Sequence, residues 1–291
     1  MINLFKFIKA GIKIIRLYNC LFVLFTVFLG AFFLSFDTSM SILPKILFVG
    51  LSAFFIAAGG YVINDVYDYE IDKINKPNRV LPSRKMKLNT AYVFSICLFL
   101  IGIVFAILTY NIWCILIALI NSILLYNYAK HFKKIFLIGN LVVAWNASST
   151  FIFGALITLN LKNIISLVLI SFFYTLLREF IKCIEDYEGD KADSAKTITV
   201  LLGLRKTLYL SYIPAMITVL SFNLMYILNQ ISIELFYILN IIIVIPFIVF
   251  YYIMHKSLHR VIVANVQKYM KLNMLSVVLL YVVYDFFKVR I

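Results

Sequence analysis

Charged residues are scarce in this chain: only 14% of its 291 residues are charged, and just 13 are acidic. An ordinary soluble domain carries about a quarter charged residues, so the composition excludes that class. Histidine and cysteine are also rare, with three and four residues. The cysteines stand singly, without a C-x-x-C pair, which indicates neither a zinc site nor a disulfide framework.

Apolar residues dominate instead, making up 64% of the chain and giving a mean hydropathy of +0.99. A helix needs about 20 apolar residues to cross a bilayer. Nine runs approach that length: 18–36, 42–64, 90–110, 112–128, 137–159, 163–184, 207–228, 233–253 and 272–289. The sequence therefore predicts an all-α, polytopic membrane protein with nine transmembrane helices, forming one domain over residues 1–291 with no separate soluble part.

The net charge of +14 is distributed in a way that predicts the orientation in the membrane. With the N-terminus in the cytoplasm, 23 of the 27 Lys and Arg residues fall on the cytoplasmic side, mostly in the loops 65–89, 129–136, 178–206 and 254–271. This asymmetry follows the positive-inside rule and does not support nucleic-acid binding. We expect a multi-pass protein of the cell membrane with a cytoplasmic active site and an external C-terminus.

The acidic residues are concentrated in two places, since 10 of the 13 lie between Asp65 and Asp72 or between Glu179 and Asp193. Each group follows an apolar run, so water or a cation must compensate its charge. Side chains four residues apart line one helix face, where their oxygens suit a hard cation such as Mg²⁺. The predicted magnesium ligands, which are also the predicted catalytic residues, are Asn64, Asp68, Asp72, Asp186 and Asp190.

The acidic groups end the second and sixth predicted spans. This placement predicts two similar halves that face each other across a central cavity, as in transporters with internal repeats. The polar segment 73–84 contains Pro77 and Pro82, which rule out a continuous helix there. We expect it to cap the cavity on the cytoplasmic side.

Basic side chains surround the acidic groups in the sequence. Carboxylates that hold Mg²⁺, together with cations that hold phosphate oxygens, predict a diphosphate site. An allylic diphosphate would ionise there, and tyrosine rings would stabilise the carbocation. The predicted substrate-binding residues are Arg79, Tyr126, Lys130, Lys133, Arg178 and Lys182.

Three segments carry a resemblance to a known family: Asn64-x-x-x-Asp68-x-x-x-Asp72, then Asn75-x-Pro77-x-Arg79-x-x-Pro82-Ser83, and later Asp186-x-Glu188-Gly189-Asp190. Together they resemble the UbiA superfamily of intramembrane prenyltransferases. The resemblance implies nine transmembrane helices around a central cavity, a cytoplasmic Mg²⁺-diphosphate site and transfer of a prenyl group to a second substrate. The Tyr126-x-x-x-Lys130 segment with Lys133 is also similar to the family's pattern.

Within the superfamily, residues 64–75 and the Pro-Ser at 82–83 most resemble archaeal digeranylgeranylglyceryl phosphate synthases, and chlorophyll synthases are somewhat similar there. The resemblance implies a geranylgeranyl diphosphate donor and a lipid-phosphate acceptor, geranylgeranylglyceryl phosphate. Arg79 is followed by Val80, where related proteins usually have a proline after the arginine. No histidine lies near either acidic group, so Asp68 and the departing diphosphate both remain candidates to take the acceptor's proton.

Three alternative functions follow from the same residues. A UbiA-type enzyme with an aromatic acceptor, as in quinone or tetrapyrrole biosynthesis, shares the metal site and differs only in its second substrate. An ion-coupled transporter would spread its acidic residues across the membrane, whereas here they gather at one face. A transferase of the CDP-alcohol type would need a longer Asp-Gly motif that the chain lacks.

Overall fold

The computed structural model describes residues 4–33 and 42–288, and in these residues the regular structure is helical, with no strand. One isolated parallel bridge joins Ile135 and Lys196. The α-helices are α1 Leu4–Ile14, α2 Leu17–Phe32, α3 Leu43–Tyr67, α4 Tyr69–Asn75, α5 Leu88–Ile107, α6 Ile112–Lys130, α7 Ile138–Thr158, α8 Ile165–Glu185, α9 Tyr187–Ala192, α10 Ile198–Leu202, α11 Leu204–Ile227, α12 Ile233–Lys256 and α13 Arg260–Lys288. The all-α prediction is confirmed.

By length and composition, seven helices of the described part of the chain can cross a membrane: α3, α5, α6, α7, α11, α12 and α13. The end of α1 and the whole of α2 form a pair bent by 57° that would make an eighth. Helix α8 coincides with the predicted sixth span, but Arg178, Glu179 and Lys182 make its last turns polar. The chain is therefore a polytopic helical membrane protein.

Two of the predicted loops are wrong in their extent. Helix α13 begins at Arg260, so most of the predicted loop 254–271 is helical. Arg and Lys have good helix propensity, and basic charges mark a membrane face without requiring a loop. The predicted loop 178–206 likewise contains the end of α8, the helix α9 and the short helix α10, which ends at Leu202 before Gly203 with φ 85°. The outer ends of the first and last predicted spans, residues 34–36 and 289, lie outside the described residues.

The chain divides into two compact units, residues 1–133 with 146–164 and residues 134–145 with 165–291. In the first unit α3 packs against α2, α5 and α6. Small residues allow the close approach of α5, because a Cβ on Gly102 would lie 3.0 Å from the Ser52 carbonyl oxygen. The Ser95 hydroxyl on α5 donates to the Gly59 carbonyl of α3 at 2.9 Å. This packing fixes the end of α3, where the first acidic group lies.

A second close approach in the first unit joins α2 to the part of α7 that follows residue 145. A Cβ on Gly154 would lie 2.6 Å from the Ala31 backbone nitrogen, and a Cβ on Gly30 would lie 2.6 Å from the Phe151 Cα. Only glycine allows two helix backbones to pass this closely, as in the small-residue interfaces of membrane helices. The crossing therefore holds the first unit together at a point distant in sequence from the acidic residues.

In the second unit α8 packs against α11 and α13, and α12 packs against α11 and α13. Pro246 interrupts α12 and removes the N–H that would bond to the Ile242 carbonyl. The Asn273 side chain of α13 donates to that carbonyl at 2.7 Å. Its oxygen accepts a 2.9 Å hydrogen bond from the Tyr174 hydroxyl of α8. One buried amide thus links three helices and satisfies the carbonyl freed by the proline.

Candidate active site

The first acidic group lies where α3 meets α4. Asp68 separates the two helices with φ −85° and ψ 1°, yet its N–H still bonds to the Asn64 carbonyl at 2.9 Å. The helical path is therefore nearly continuous, as the four-residue spacing predicts. The Asn64 amide donates to Asp68 Oδ2 at 2.7 Å, which brings two of the predicted magnesium ligands together.

A cation from a distant segment also binds Asp68. The Lys133 ammonium, at the end of the first unit, forms an ion pair with Asp68 Oδ1, and both side chains are largely withdrawn from solvent. The predicted residues Asn64, Asp68 and Lys133 therefore form one cluster. Lys133 was expected to bind substrate phosphate, and in this structure its partner is a carboxylate of the motif.

Tyr126 lies in the same unit, beside other tyrosines. Its hydroxyl is 3.1 Å from that of Tyr67 and 3.3 Å from that of Tyr92, and its ring meets the Tyr67 ring edge-on at 6.1 Å between centroids. Lys130, one turn further along α6, is exposed. The half-buried Tyr126 and the exposed Lys130 therefore lie beside a cluster of tyrosines at the end of the helix.

Asp72, the third predicted ligand of the first group, lies in a different setting. It is only 3% exposed, and Arg79 Nη1 donates to its Oδ2 at 2.5 Å. The same Arg79 nitrogen is 3.3 Å from Asp65 Oδ1, and that oxygen also accepts a 2.6 Å hydrogen bond from Arg16 Nη2. Arg79 was expected at the site, but Arg16 and Asp65 were not assigned a role there. The sequence signal for them was Asp65 itself, an acid at the end of an apolar run that needs a cation.

The second acidic group lies where α8 meets α9 and has the same backbone geometry. Asp186 separates the helices with φ −87° and ψ 0°, and its N–H bonds to the Lys182 carbonyl at 2.9 Å. The Asp190 N–H bonds in turn to the Asp186 carbonyl at 2.9 Å. Burial, and to a smaller extent the neighbouring Asp186 carboxylate, raise the pKa of Asp190 to about 6, against the lowering effect of the nearby Thr197 hydroxyl.

The two acidic groups share a six-residue pattern that the sequence reasoning did not extract in full. Residues 68–73 read Asp-Tyr-Glu-Ile-Asp-Lys, and residues 186–191 read Asp-Tyr-Glu-Gly-Asp-Lys. In each copy the lysine ammonium lies over the ring of the tyrosine four residues earlier, at 4.3 Å for Lys73 and 5.8 Å for Lys191. Sequence, backbone angles and side-chain contacts thus agree that the two groups are copies of one local motif.

Arg178 and Lys182 were predicted to bind substrate, and each has an acidic neighbour within α8. Arg178 Nη2 donates to Glu179 Oε1 at 2.7 Å, and Lys182 Nζ lies 3.8 Å from Glu179 Oε2. Glu179 is only 4% exposed, so it requires such partners. Lys134 pairs with Asp193 at 2.6 Å in the same unit. Glu179 therefore forms a charged cluster with Arg178 and Lys182, and it is a member that the sequence did not single out.

The donor set fits a hard cation. In the described ranges no three His, Cys, Asp or Glu side chains converge as a ready-made metal cluster. The motif residues nevertheless supply carboxylate and amide oxygens, the ligands that Mg²⁺ prefers. Burial and, to a smaller extent, the Asp186 charge raise the pKa of Asp190, and a bound cation would favour its ionised form.

The model of the UbiA prenyltransferase family matches residues 23–275, which is most of the chain and includes both acidic motifs. The chain belongs to the UbiA prenyltransferase family. Among related UbiA proteins, a digeranylgeranylglyceryl phosphate synthase of Sulfurisphaera tokodaii is 39% identical over 240 residues, covering 78% of this chain and 84% of the relative. One of Methanococcus aeolicus is 38% identical over 223 residues, covering 77% of this chain and 78% of the relative.

Solved structures agree with this assignment. A structure of a digeranylgeranylglyceryl phosphate synthase has a TM-score of 0.78 and 34% identity, covering 95% of this chain and 98% of that one. A UbiA homologue from Archaeoglobus fulgidus, solved with GPP and Mg²⁺, has a TM-score of 0.68 at 20% identity and covers 92% of this chain and 99% of its own. The second likeness shows the shared UbiA fold.

Proposed function

We propose that this chain transfers a geranylgeranyl group from geranylgeranyl diphosphate to geranylgeranylglyceryl phosphate, with Mg²⁺ as cofactor. The C1–O bond of the donor breaks and the acceptor hydroxyl oxygen bonds to C1, forming the second ether bond of an archaeal membrane lipid. The products are digeranylgeranylglyceryl phosphate, diphosphate and a proton. The observation that carries this proposal is the 36–40% identity to relatives named digeranylgeranylglyceryl phosphate synthase.

The acidic motifs are the proposed metal site. Asn64, Asp68 and Asp72 from the first copy, with Asp186 and Asp190 from the second, would hold Mg²⁺ through oxygen ligands. Bound Mg²⁺ would withdraw charge from the leaving diphosphate. The equivalent backbone geometry of the two copies supports a shared task. A UbiA homologue of the same fold is known with GPP and Mg²⁺, which is consistent with this assignment.

The basic and aromatic residues are proposed to hold the substrates. Arg79, Lys130, Lys133, Arg178 and Lys182 would bind phosphate oxygens, because guanidinium and ammonium groups form the strongest hydrogen bonds to phosphate. The half-buried ring of Tyr126, together with its neighbouring tyrosines, would stabilise the positive charge that develops on the allylic carbon. An acceptor with its own phosphate needs more cations than the donor alone. The number of basic residues in this set therefore favours a lipid phosphate acceptor over an aromatic acid.

We also propose the topology given by the charge distribution. Nine spans would surround a central cavity with a cytoplasmic cap, and the N-terminus and active site would face the cytoplasm while the C-terminus lies outside the cell membrane. Support comes from the seven described helices that can cross a membrane, from the bent pair that would make an eighth, and from the basic residues that gather in the segments predicted to be cytoplasmic.

The decisive experiment offers the purified protein geranylgeranyl diphosphate with two competing acceptors, geranylgeranylglyceryl phosphate and 4-hydroxybenzoate. Mass spectrometry should find the digeranylgeranylglyceryl phosphate product and free diphosphate, with EDTA stopping the reaction and Mg²⁺ restoring it. Prenylated 4-hydroxybenzoate as the main product would favour the aromatic-acceptor alternative. The absence of any prenylated product under these conditions would contradict both assignments.

A further inference from the structure

Four charged side chains form one network in the first unit. Asp65 Oδ1 accepts from Arg16 Nη2 at 2.6 Å and lies 3.3 Å from Arg79 Nη1, and that same nitrogen donates to Asp72 Oδ2 at 2.5 Å. The two carboxylates are 7% and 3% exposed. Two positive and two negative charges balance, which buried carboxylates require.

We propose that Arg16 and Asp65 are positioning residues, which hold Arg79 so that its remaining donors bind the diphosphate of the prenyl donor. This rests on the proposed function. Asp65 is unlike the proposed metal ligands, because both of its neighbours are guanidinium groups and its single contacting oxygen is shared between them. It follows Asn64 directly, which turns its side chain by about 100° from the Asn64–Asp68 face.

Arg79 is held by one nitrogen alone. Both of its contacts to carboxylates run through Nη1, and within the described residues Nε and Nη2 have no protein acceptor. Its side chain is about one-quarter exposed, at 26%. A guanidinium offers five N–H donors in a planar fork that matches phosphate oxygens. Anchoring one nitrogen therefore fixes the fork without using the donors that a diphosphate needs.

Arg16 reaches Asp65 from an unusual backbone position. It lies between α1 and α2 in the left-handed region, with φ 55° and ψ 58°, where the chain bends by 57°. Its guanidinium also lies over the Tyr61 ring, 5.0 Å from the centroid. A non-glycine residue in this region costs about 1 kcal/mol or more, so the contacts of Arg16 must offset that strain.

The apolar packing around the network joins the same segments. Ala10 and Ile14 of α1, Val62 of α3, and Val80 and Leu81 beside Arg79 belong to one buried cluster. The segment that carries Arg79 is therefore packed rather than loose, with Val80 and Leu81 only 3% and 2% exposed. Arg16 adds the polar link between α1 and that segment. The second motif lacks this link, since Cys183 stands where Asp65 does in the first.

The test measures binding of inorganic diphosphate with Mg²⁺ to the purified full chain by calorimetry, which needs no acceptor. The neutral variant Arg16→Asn tolerates the left-handed backbone and removes the charge. We expect it to weaken binding about tenfold, the effect of roughly 1.4 kcal/mol. Arg16→Lys should stay within about threefold of the natural protein, because Arg16 contacts Asp65 through one nitrogen and a lysine keeps a charged single donor there. In turnover assays the loss should appear mainly in KM for the donor rather than in kcat.

Asp65→Asn cuts the same link from the other side and should give a similar loss of diphosphate affinity. The double variant Arg16→Asn with Asp65→Asn should be no weaker than the worse single variant, because residues that act as a unit are not additive. The matched control is Lys73→Gln, which breaks the exposed Lys73–Glu70 pair and should leave affinity unchanged.

Two results would overturn the proposal. The first is that the Arg16→Asn and Asp65→Asn variants bind diphosphate as tightly as the natural protein. The second is that Arg16→Lys binds diphosphate as weakly as Arg16→Asn although both variants are equally stable to heat. Failure of the proposed function gives a different pattern. In that case Arg16→Asn and Asp65→Asn still bind diphosphate more weakly than the natural protein and Arg16→Lys, while the competition assay yields no digeranylgeranylglyceryl phosphate.

Discussion

The amide of Asn273 offers a direct test of how the second unit is held together. Asn273→Leu removes two hydrogen bonds, one to the Ile242 carbonyl at 2.7 Å and one from the Tyr174 hydroxyl at 2.9 Å. The single hydroxyl hydrogen of Tyr174 is shared with the Met270 carbonyl at 2.9 Å and keeps that acceptor, but the carbonyl freed by Pro246 loses its side-chain donor. Side-chain hydrogen bonds between membrane helices are worth about 0.6–1.7 kcal/mol each, so the free energy of unfolding should fall by about 1–3 kcal/mol.

The measurement is a reversible unfolding titration in mixed micelles, with Asn240→Leu as the matched control. Asn240 lies on α12, and its amide donates to the Phe236 carbonyl of the same helix at 2.9 Å, so its loss should cost under about 0.5 kcal/mol. Adding Pro246→Ala to Asn273→Leu restores a backbone donor for Ile242 and should recover part of the lost stability. Equal stability of the Asn273→Leu and Asn240→Leu proteins would refute the reasoning.

Three further predictions concern the motifs and the first unit. Asp68→Ala and Asp186→Ala should each abolish Mg²⁺-dependent turnover without unfolding the protein. The control variant Glu70→Ala, at an exposed residue, should retain turnover. Near-normal turnover by either aspartate variant would contradict the metal assignment. Folding raises the pKa of Asp190 to about 6, so the protonated form of Asp190 dominates below that pH. The Mg²⁺ concentration that gives half the maximal rate should therefore rise as the pH falls from 7 to 5.5. The Asp190→Asn variant should lose this pH dependence. Gly154→Ala places a methyl group against the α2 backbone and should cost about 1–3 kcal/mol in the same unfolding titration, where an unchanged free energy would rule out the close crossing.

The spans were predictable because a long apolar run has few alternatives in a membrane protein. Helix α3, Leu43–Tyr67, shows this, since its run of apolar and small residues ends at the first acidic motif. The start of α13 was not predictable in the same way. Its early basic residues, Arg260, Lys268 and Lys271, indicate a membrane face, and that signal is the same whether the residues lie in a loop or on an extended helix.

Local contacts of the site followed from spacing, and distant ones did not. The Asn64–Asp68 hydrogen bond is what a four-residue separation on a helix provides. The Arg16–Asp65 pair spans 49 residues and depends on a left-handed residue between α1 and α2, which no periodicity encodes. Basic residues near a first span are so common as topology signals that Arg16 carried no information by itself. Only the need of Asp65 for a cation pointed towards it.

The two copies of the motif are alike in backbone but unequal in charge. Seven residues after the last aspartate of each copy stands Arg79 in the first and Thr197 in the second. A guanidinium therefore neutralises Asp72, while the nearby Thr197 hydroxyl only partly offsets the burial that raises the pKa of Asp190. The first copy is thus largely compensated by the protein's own cations, through Lys133 on Asp68 as well. The chemical difference between the copies therefore lies in the residues around the motif rather than in the motif itself: a guanidinium contacts Asp72, whereas a hydroxyl lies near Asp190.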